Sequence, residues 1–461
     1  MIAVNDLWRE VYPYLASQVT AVYGRNSGRV LELGPFSWGI SYELATRYAA
    51  LEFTLADDHK EYLAHLRHEI ERRNLGRRIE VLNAPLDKLP FGDASFDLVI
   101  LRGAFFFIMD RPRILSEIYR VLAPGGLAFV GGGYGAGIPQ GVIDSIAEES
   151  RILNDRLGRR RVTLDELKAL VESQGLTAAT QIVEEGGVWL LVRKSISLAA
   201  EKQTSRLAEA FGLRPAEVIS IVGGGGKTSL MFALARELSL AGKKVISTTT
   251  THIMKPEADE SPCVVLEDDE ERLISRLKDE LGRHKHVTAA CLRPEAGKLR
   301  GLLPETVDKI TAVKLADYII NEADGAARRP IKAPNATEPV IPDSTTLVVA
   351  VVGMDALNSP LSQEVAFRPE LITCLTGLPE GGIITREVIA TLVADEKGII
   401  QYAPRSARIV PFINKVELAQ SPDDVRKLAG AILSRRHPQI KRVVSGSLIA
   451  QKLEFHIFEA A

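Results

Sequence analysis

The residues best suited to chemistry in this chain stand in one run, Gly223-Gly224-Gly225-Gly226-Lys227-Thr228-Ser229. The apolar, β-rich stretch Val218–Val222 leads into it, and a helical pattern over Thr228–Ala241 follows. Consecutive glycines let backbone N–H groups curl around an anion, because no side chain blocks the approach. A helix beginning there adds its positive end. The run therefore predicts a grip on a nucleoside triphosphate. Lys227 is expected to reach the β and γ phosphates, supplying charge rather than packing, and the Thr228 hydroxyl to ligate Mg²⁺. The full GxxxxGK[ST] pattern is not met, since Ile221 occupies its first glycine position. The loop is a shorter G-x-x-G-K-T form.

Further candidates lie at the ends of other apolar runs. Ala316–Asn321 ends in Glu322-Ala323-Asp324-Gly325. Carboxylates at the carboxyl end of such a strand are placed to hold Mg²⁺ or orient a water. Lys227, Glu322 and Asp324 are thus the expected catalytic residues, and Thr228, Glu322 and Asp324 the expected metal ligands. Arg328, Arg329 and Lys332 follow as cations, either for a γ-phosphate or anionic substrate, or as a solvated basic loop. Thr248–Thr251 and His252 offer polar groups at another strand end; Glu338 and Asp355 are carboxylates near two more, without an assigned role. Asn414, Lys415 and Glu417 follow the run ending at Ile413. A carboxylate there is suited to accept from guanine N1 and N2 donors. Ser445-Gly446-Ser447 occupies a position where such folds often touch a base. In the first half, Glu32, Gly34, Gly39 and Asp57 are the expected cofactor-binding residues, and Tyr23 and Arg102 are expected to border a substrate cleft. His65 and His68 share one expected helix with no third ligand in view, which reads as surface histidines.

Two alternations of strand and helix position these groups. The first uses strands at Arg29–Leu33, Glu52–Ala56, Ile79–Leu82, Phe96–Leu101 and Leu127–Gly131, with helices between them. It closes with a helix at Thr163–Gln174 and a terminal hairpin at 180–193. The second runs through strands at Val218–Val222, Lys244–Ser247, Ala316–Ile320, Thr346–Val352, Arg408–Ile413 and Lys441–Val444. Such alternation makes parallel sheets covered on both faces. The expected architecture is α/β with two doubly wound parallel-sheet domains: residues 1–195, a helical connector over 196–217, and a nucleotide-binding domain over 218–461.

The chain has 461 residues, too many for one ordinary core. Its formal net charge of −2 predicts no bulk attraction to nucleic acid or anionic lipid. Cys263, Cys291 and Cys374 lie far apart with no CxxC pair, so the spacing indicates neither a zinc site nor a disulfide framework. Asp6, Arg9 and Glu10 interrupt the segment where a signal peptide needs an apolar core, and no apolar run approaches the ~20 residues of a membrane helix. A cytoplasmic protein with no membrane or nucleic-acid partner is expected.

The stretches SIVGGGGKTSLMFALARELSLAGKKVISTTTTHIMKP, INEADGAARRPIKAPNATEPVIP and VVAVVGMDALNSPL resemble the selenium cofactor biosynthesis protein YqeC family over residues 200–461. The resemblance implies an ATP- or GTP-dependent accessory role for selenium-dependent molybdenum hydroxylases, with such a hydroxylase or its cofactor-assembly proteins as partner. Glu322-x-x-Gly325 is similar to the E-x-x-G of metallocentre-maturation GTPases, and Asn414-Lys415-Val416-Glu417 to the guanine-reading NKxD. Both favour a nucleotide switch as an alternative. The short loop also resembles that of Mur-type ligases, which leaves an NTP-dependent ligase or kinase of a small acid as another. A P-loop NTPase-like fold and NTP hydrolysis are the corresponding expectations.

Over residues 1–195, the LELG run with Asp57, the stretch LPFGDASFDLVI and the segment Ile118–Gly126 resemble class I S-adenosylmethionine methyltransferases. That implies a Rossmann-like fold, S-adenosylmethionine as cofactor, and an Asp57 that bonds both ribose hydroxyls. Phe36 and Trp38 stand at two of the family's glycine positions, and Pro85 replaces an expected acid. Methyl transfer and a non-catalytic scaffold are the two readings this leaves.

Overall fold

The alternation read in the sequence is realised as two large sheets in the computed structural model of the protein, which describes residues 2–103, 105–156, 162–196, 198–199, 201–295, 298–449 and 453–461. The chain divides into two compact units, Met1–Ser195 and Ile196–Ala461.

In the first unit the strands are β1 (Ser27–Leu33), β2 (Ala50–Asp57), β3 (Ile79–Asn83), β4 (Phe96–Arg102), β5 (Leu122–Gly132), β6 (Thr180–Val183) and β7 (Val188–Arg193). Their order is β3-β2-β1-β4-β5-β7-β6. All neighbours are parallel except β7, which runs antiparallel to β5 and β6. This is the Rossmann-like methyltransferase arrangement. Every residue of β4 is buried, as a strand covered on both faces requires. The chain leaves β1 toward β2 and β3, then returns to β4 on the other side of β1. Ligands of such sheets bind at that reversal, beyond the carboxyl ends of the strands. Glu32, Asp57 and Arg102 lie at those ends.

In the second unit the strands are β8 (Lys202–Thr204), β9 (Glu217–Gly223), β10 (Val245–Thr249), β11 (His252–Met254), β12 (Val264–Leu266), β13 (His286–Glu295), β14 (Lys298–Arg300), β15 (Tyr318–Glu322), β16 (Ile331–Lys332), β17 (Leu347–Gly353), β18 (Ala366–Phe367), β19 (Arg408–Asn414), β20 (Arg442–Gly446) and β21 (Phe455–Glu459). The central run β13-β10-β15-β9-β17-β19-β20 is parallel throughout. β12 joins it in parallel beside β13, while antiparallel strands finish its margins. β16 and β18 form a separate pair. The chain passes from β9 outward to β10 and β13, returns to β15 against β9, then crosses to β17 on β9's other side. The carboxyl ends of these strands gather Gly223, Thr249, Glu322, Gly353 and Asn414.

Several elements differ from the expectation. Among the described residues of 196–217 the expected helical connector is not found: β8 pairs with β21, and only Leu207–Ala210 is α-helical. Lys202-Gln203-Thr204 lacks helical apolar spacing and completes a sheet edge instead. β13 went unread because its apolar stretch is framed by His286 and Arg293-Pro294-Glu295. The helix Gln140–Arg156 follows a glycine-rich turn and has a mixed surface. Among the described residues, no helix is long and apolar enough to cross a membrane.

β13 also brings a histidine into the core. His286 is 3% exposed, its Nε2 2.8 Å from Ser247 Oγ, and Ser247 Oγ is 2.7 Å from Thr288 Oγ1. Burial pushes His286 from its ordinary 6.5 down to about 4. Between those pH values the unfolded chain binds the extra proton, so stability is full above about pH 6.5 and is lost as pH falls toward 4. The predicted loss is on the order of 3 kcal/mol. Melting scans of the wild type and His286→Gln across this range should show the variant with the shallower acid limb; equal slopes would exclude His286 as the titrating group.

Candidate functional site

The glycine loop turns at the carboxyl end of β9 because its backbone takes conformations that side chains resist. Gly223, Gly225 and Gly226 have φ of +96°, +80° and +124°. Space is equally restrictive. A Cβ on Gly225 would lie 2.4 Å from Gly353 N, and one on Gly226 2.4 Å from Asn414 Nδ2. The loop is tied down from outside: Gly224 N–H donates to Val351 O and Gly225 N–H to Arg329 O, both at 2.9 Å. The helix Lys227–Leu240 then begins with no side chain capping its first turn.

Lys227, expected to supply charge to phosphates, is a buried charge. It is 5% exposed and folds back over the loop, donating from Nζ to Gly223 O at 2.8 Å. Asp324 Oδ1 lies 3.2 Å from this ammonium, and Glu322 Oε1 3.7 Å. Burial alone would lower the lysine's pKa, yet Asp324 and then Glu322 outweigh it and hold the group above its ordinary value. Burial raises Glu322, opposed by Lys227 and by the Thr228 hydroxyl, which donates to Glu322 Oε2 at 2.7 Å. Asp324 is fully buried; its Oδ2 accepts from Gly223 N–H at 3.1 Å and meets Lys332 Nζ at 3.0 Å. Lys332 continues to Gly325 O and Glu338, and Glu338 to Arg368. Lys332 is therefore a buried link rather than part of a solvated basic loop, whereas Arg328 is exposed.

The other expected residues divide. Asn414 reaches the loop, donating from Nδ2 to Gly225 O at 2.8 Å, while its Oδ1 is buried without a hydrogen bond. Lys415 pairs with Asp355 at 2.6 Å. Glu417 is exposed on the short turn Val416–Leu418, and Ser229 is exposed on the first turn of the loop's helix. Thr248, Thr249 and Thr250 spend their hydroxyls on backbone carbonyls of Ala289, Glu322 and Val340, which makes them braces for the strand ends. Ser445 and Gly446 end β20 beside Ile413 and Asn414. Sequence reasoning missed the supporting backbone of Arg329, Pro330 and Val351. Carbonyls carry no residue signature; Gly353, closing the apolar β17, was the one available signal.

In the first unit, Glu32 is fully buried, with Oε2 accepting from Ser41 N–H at 2.9 Å and Oε1 without a hydrogen bond. Asp57 is likewise buried, its Oδ1 held by the His59 backbone and ring, its Oδ2 without a partner. Burial raises the pKa of both carboxyls, opposed by Ser41 and His59 respectively. Gly34 has a φ of +88°. Gly39 also faces a packing constraint: a Cβ there would lie 2.2 Å from the Tyr12 ring. Trp38 keeps a φ of +103°, a glycine backbone carrying an indole, and Phe36 is buried. Arg102 lies 4.7, 5.0 and 5.6 Å from the Trp8, Tyr12 and Phe36 rings, and bonds Tyr12 Oη at 2.9 Å. The phenol of Tyr12 is pushed up to about 12 by burial, against the pull of Arg102. Tyr23 does not border this region: it bonds Ser27 O at the amino end of β1, the opposite edge of the sheet.

Comparison with known proteins agrees with the two-part reading. Residues 219–370 match the YqeC protein family model, and residues 31–130 a methyltransferase domain model. The uncharacterized protein YqeC of Escherichia coli K12 is 35% identical over 198 residues, covering 43% of this chain and 75% of that protein. A ubiquinone/menaquinone biosynthesis C-methyltransferase UbiE of Geotalea daltonii is 30% identical over 101 residues, covering 22% of this chain and 43% of that enzyme. The chain thus spans less than half the length of that methyltransferase. A solved structure of a putative S-adenosyl-L-methionine-dependent methyltransferase from Methanococcus maripaludis, 25% identical, aligns with a TM-score of 0.37 over 41% of this chain and 87% of its own.

The loop's sterics make a prediction. Gly225→Ala combines a left-handed backbone with a backbone clash and should destabilise the second unit by at least about 1–2 kcal/mol. Gly325→Ala, with nothing within 4 Å of its Cβ, should melt like the wild type. Equal melting temperatures for both variants would contradict the loop geometry.

Proposed function

This chain belongs to the YqeC family, and on that premise we propose that its C-terminal unit binds ATP or GTP with Mg²⁺ at the Gly223–Ser229 loop. The observation that carries this reading is the buried cluster under the loop. Lys227, Glu322, Asp324 and Thr228 meet at the carboxyl ends of β9 and β15, beside the strand reversal. Lys227 would exchange its bond to Gly223 O for phosphate oxygens, while the uncapped helix start supplies backbone N–H donors. Thr228 and Glu322, already hydrogen-bonded to each other, would hold the metal side. Asp324, pinned by Gly223 N–H and Lys332, is better suited to positioning Lys227 and the loop than to direct ligation. The unit is then a P-loop NTPase-like hydrolase, with Glu322 orienting the attacking water.

The cellular role we propose is accessory to selenium-dependent molybdenum hydroxylase maturation, with the hydroxylase or its cofactor-assembly proteins as partner. A switch that hydrolyses slowly and responds to that partner is the second reading. It is favoured by the bond from Asn414 to Gly225 O, which couples the Asn414–Glu417 segment to the phosphate loop and suits guanine. A turnover assay tests the hydrolase reading. Glu322→Gln should slow hydrolysis by about 10²-fold while nucleotide binding persists; wild-type turnover in that variant would remove Glu322 from the chemistry.

For the N-terminal unit we propose S-adenosylmethionine binding at the carboxyl ends of β1 and β2. The unpartnered Asp57 Oδ2 fits a ribose hydroxyl, and Gly34 has the backbone such a site needs. Phe36, Trp38 and Tyr12 crowd the glycine turn, so the affinity should be weak, roughly 10 μM to 1 mM. Asp57→Ala should weaken it by about 1–3 kcal/mol in calorimetry. No heat of binding at millimolar cofactor would make this unit a scaffold without S-adenosylmethionine.

A further inference from the structure

The spacing of the three cysteines indicates no metal site, yet the fold brings one of them to a histidine and a carboxylate. Cys263 lies just before β12. Glu280 and His284 are one turn apart at the end of the helix Glu270–Arg283, so they share a face. Cys263 Sγ is 3.7 Å from Glu280 Oε2, which is also 3.7 Å from His284 Nε2, and the three atoms all lie within 4.8 Å of one another. A tetrahedral ion with bonds of about 2.0–2.3 Å needs donor atoms roughly 3.3–3.7 Å apart. Small side-chain shifts would therefore close the set.

The surroundings hold these donors in place. Cys263 O accepts from Thr288 N–H at 2.8 Å and from Ser261 Oγ at 3.0 Å, which fixes the cysteine against β13. Arg283 holds Glu280 Oε1 at 3.1 Å and leaves Oε2 turned to the other two groups. Such outer contacts orient ligating carboxylates. Glu280 and His284 side chains are 25% and 38% exposed, so an ion has a route in and water can complete its shell.

We propose that Cys263, Glu280 and His284 form a binding site for a thiophilic divalent cation, with Zn²⁺ the best match. One sulfur, one imidazole nitrogen and one carboxylate oxygen suit zinc; Mg²⁺ takes oxygen ligands and would be rejected here. The site is thus separate in its chemistry from the Mg²⁺ position at the glycine loop. Burial and Glu280 keep the Cys263 thiol protonated in the ion-free protein. Binding therefore forms the metal–sulfur bond and releases that proton to solvent.

The test uses the full chain, reduced and stripped with a chelator, and titrated with Co²⁺. A thiolate-to-cobalt charge-transfer absorption should grow to one equivalent and vanish when Zn²⁺ is added. Cys263→Ser should abolish it, and His284→Ala should weaken cobalt binding by at least about 10-fold. The double variant Cys291→Ser/Cys374→Ser should retain it, and melting scans should show all variants folded. The proposal is overturned by a wild type without the band, by its persistence in Cys263→Ser, or by its loss in the double variant.

Discussion

A buried ammonium held by two buried carboxylates organises the C-terminal unit. Taking an unpaired charge out of water costs several kcal/mol, so Lys227 can sit under its own loop only because Asp324 and Glu322 arrive beside it. Those acids can arrive only because β15 lies directly against β9, with Glu322 level with Ile221. The balance extends further: Lys227, Lys332 and Arg368 face Glu322, Asp324 and Glu338 in one continuous chain of ion pairs. The glycine loop, the strand ends and the β16–β18 pair are thereby joined electrostatically. A ligand that draws Lys227 away would leave Asp324 facing Lys332 alone, so the chain as a whole would have to readjust.

The N-terminal unit applies the same geometry with a different outcome. Its sheet also reverses direction beside a glycine-bearing strand end, and unpartnered buried carboxylate oxygens lie there on Glu32 and Asp57. Here, however, aromatic rings occupy much of the turn. Trp38 retains the backbone of a glycine, and Tyr12 fills the space that Gly39 leaves open. The residues around Arg102 show why the N-terminal segment matters. Trp8 and Tyr12 cover a guanidinium that would otherwise face the strand ends.

Sequence pattern carried the central strands other than β13, the glycine loop and the acids of the Glu322–Gly325 turn, because each depends on local periodicity or on residue type at a strand end. It did not carry what depends on long-range packing. Lys227 read as a charge for phosphates, and nothing local announces that Asp324, far along the chain, will pair with it. The bond from Gly223 N–H to Asp324 left no trace in local pattern, because it joins two strands adjacent only in space. Thr248–Thr250 read as hydroxyls offered at a strand end or as a solvated turn, and their acceptors are carbonyls on other elements. β8 escaped notice because its partner, β21, is the last strand of the chain.

The claim on which most rests is that the glycine loop and its buried lysine form a triphosphate site. Calorimetric titration of the full chain with Mg²⁺-ATP and with Mg²⁺-GTP tests it most directly, alongside Lys227→Met, which keeps the side chain's bulk and removes its charge. The account predicts one-to-one binding of at least one triphosphate by the wild type and its loss in a folded Lys227→Met. Absence of binding to either triphosphate at millimolar concentration, or unchanged affinity in the variant, would contradict it.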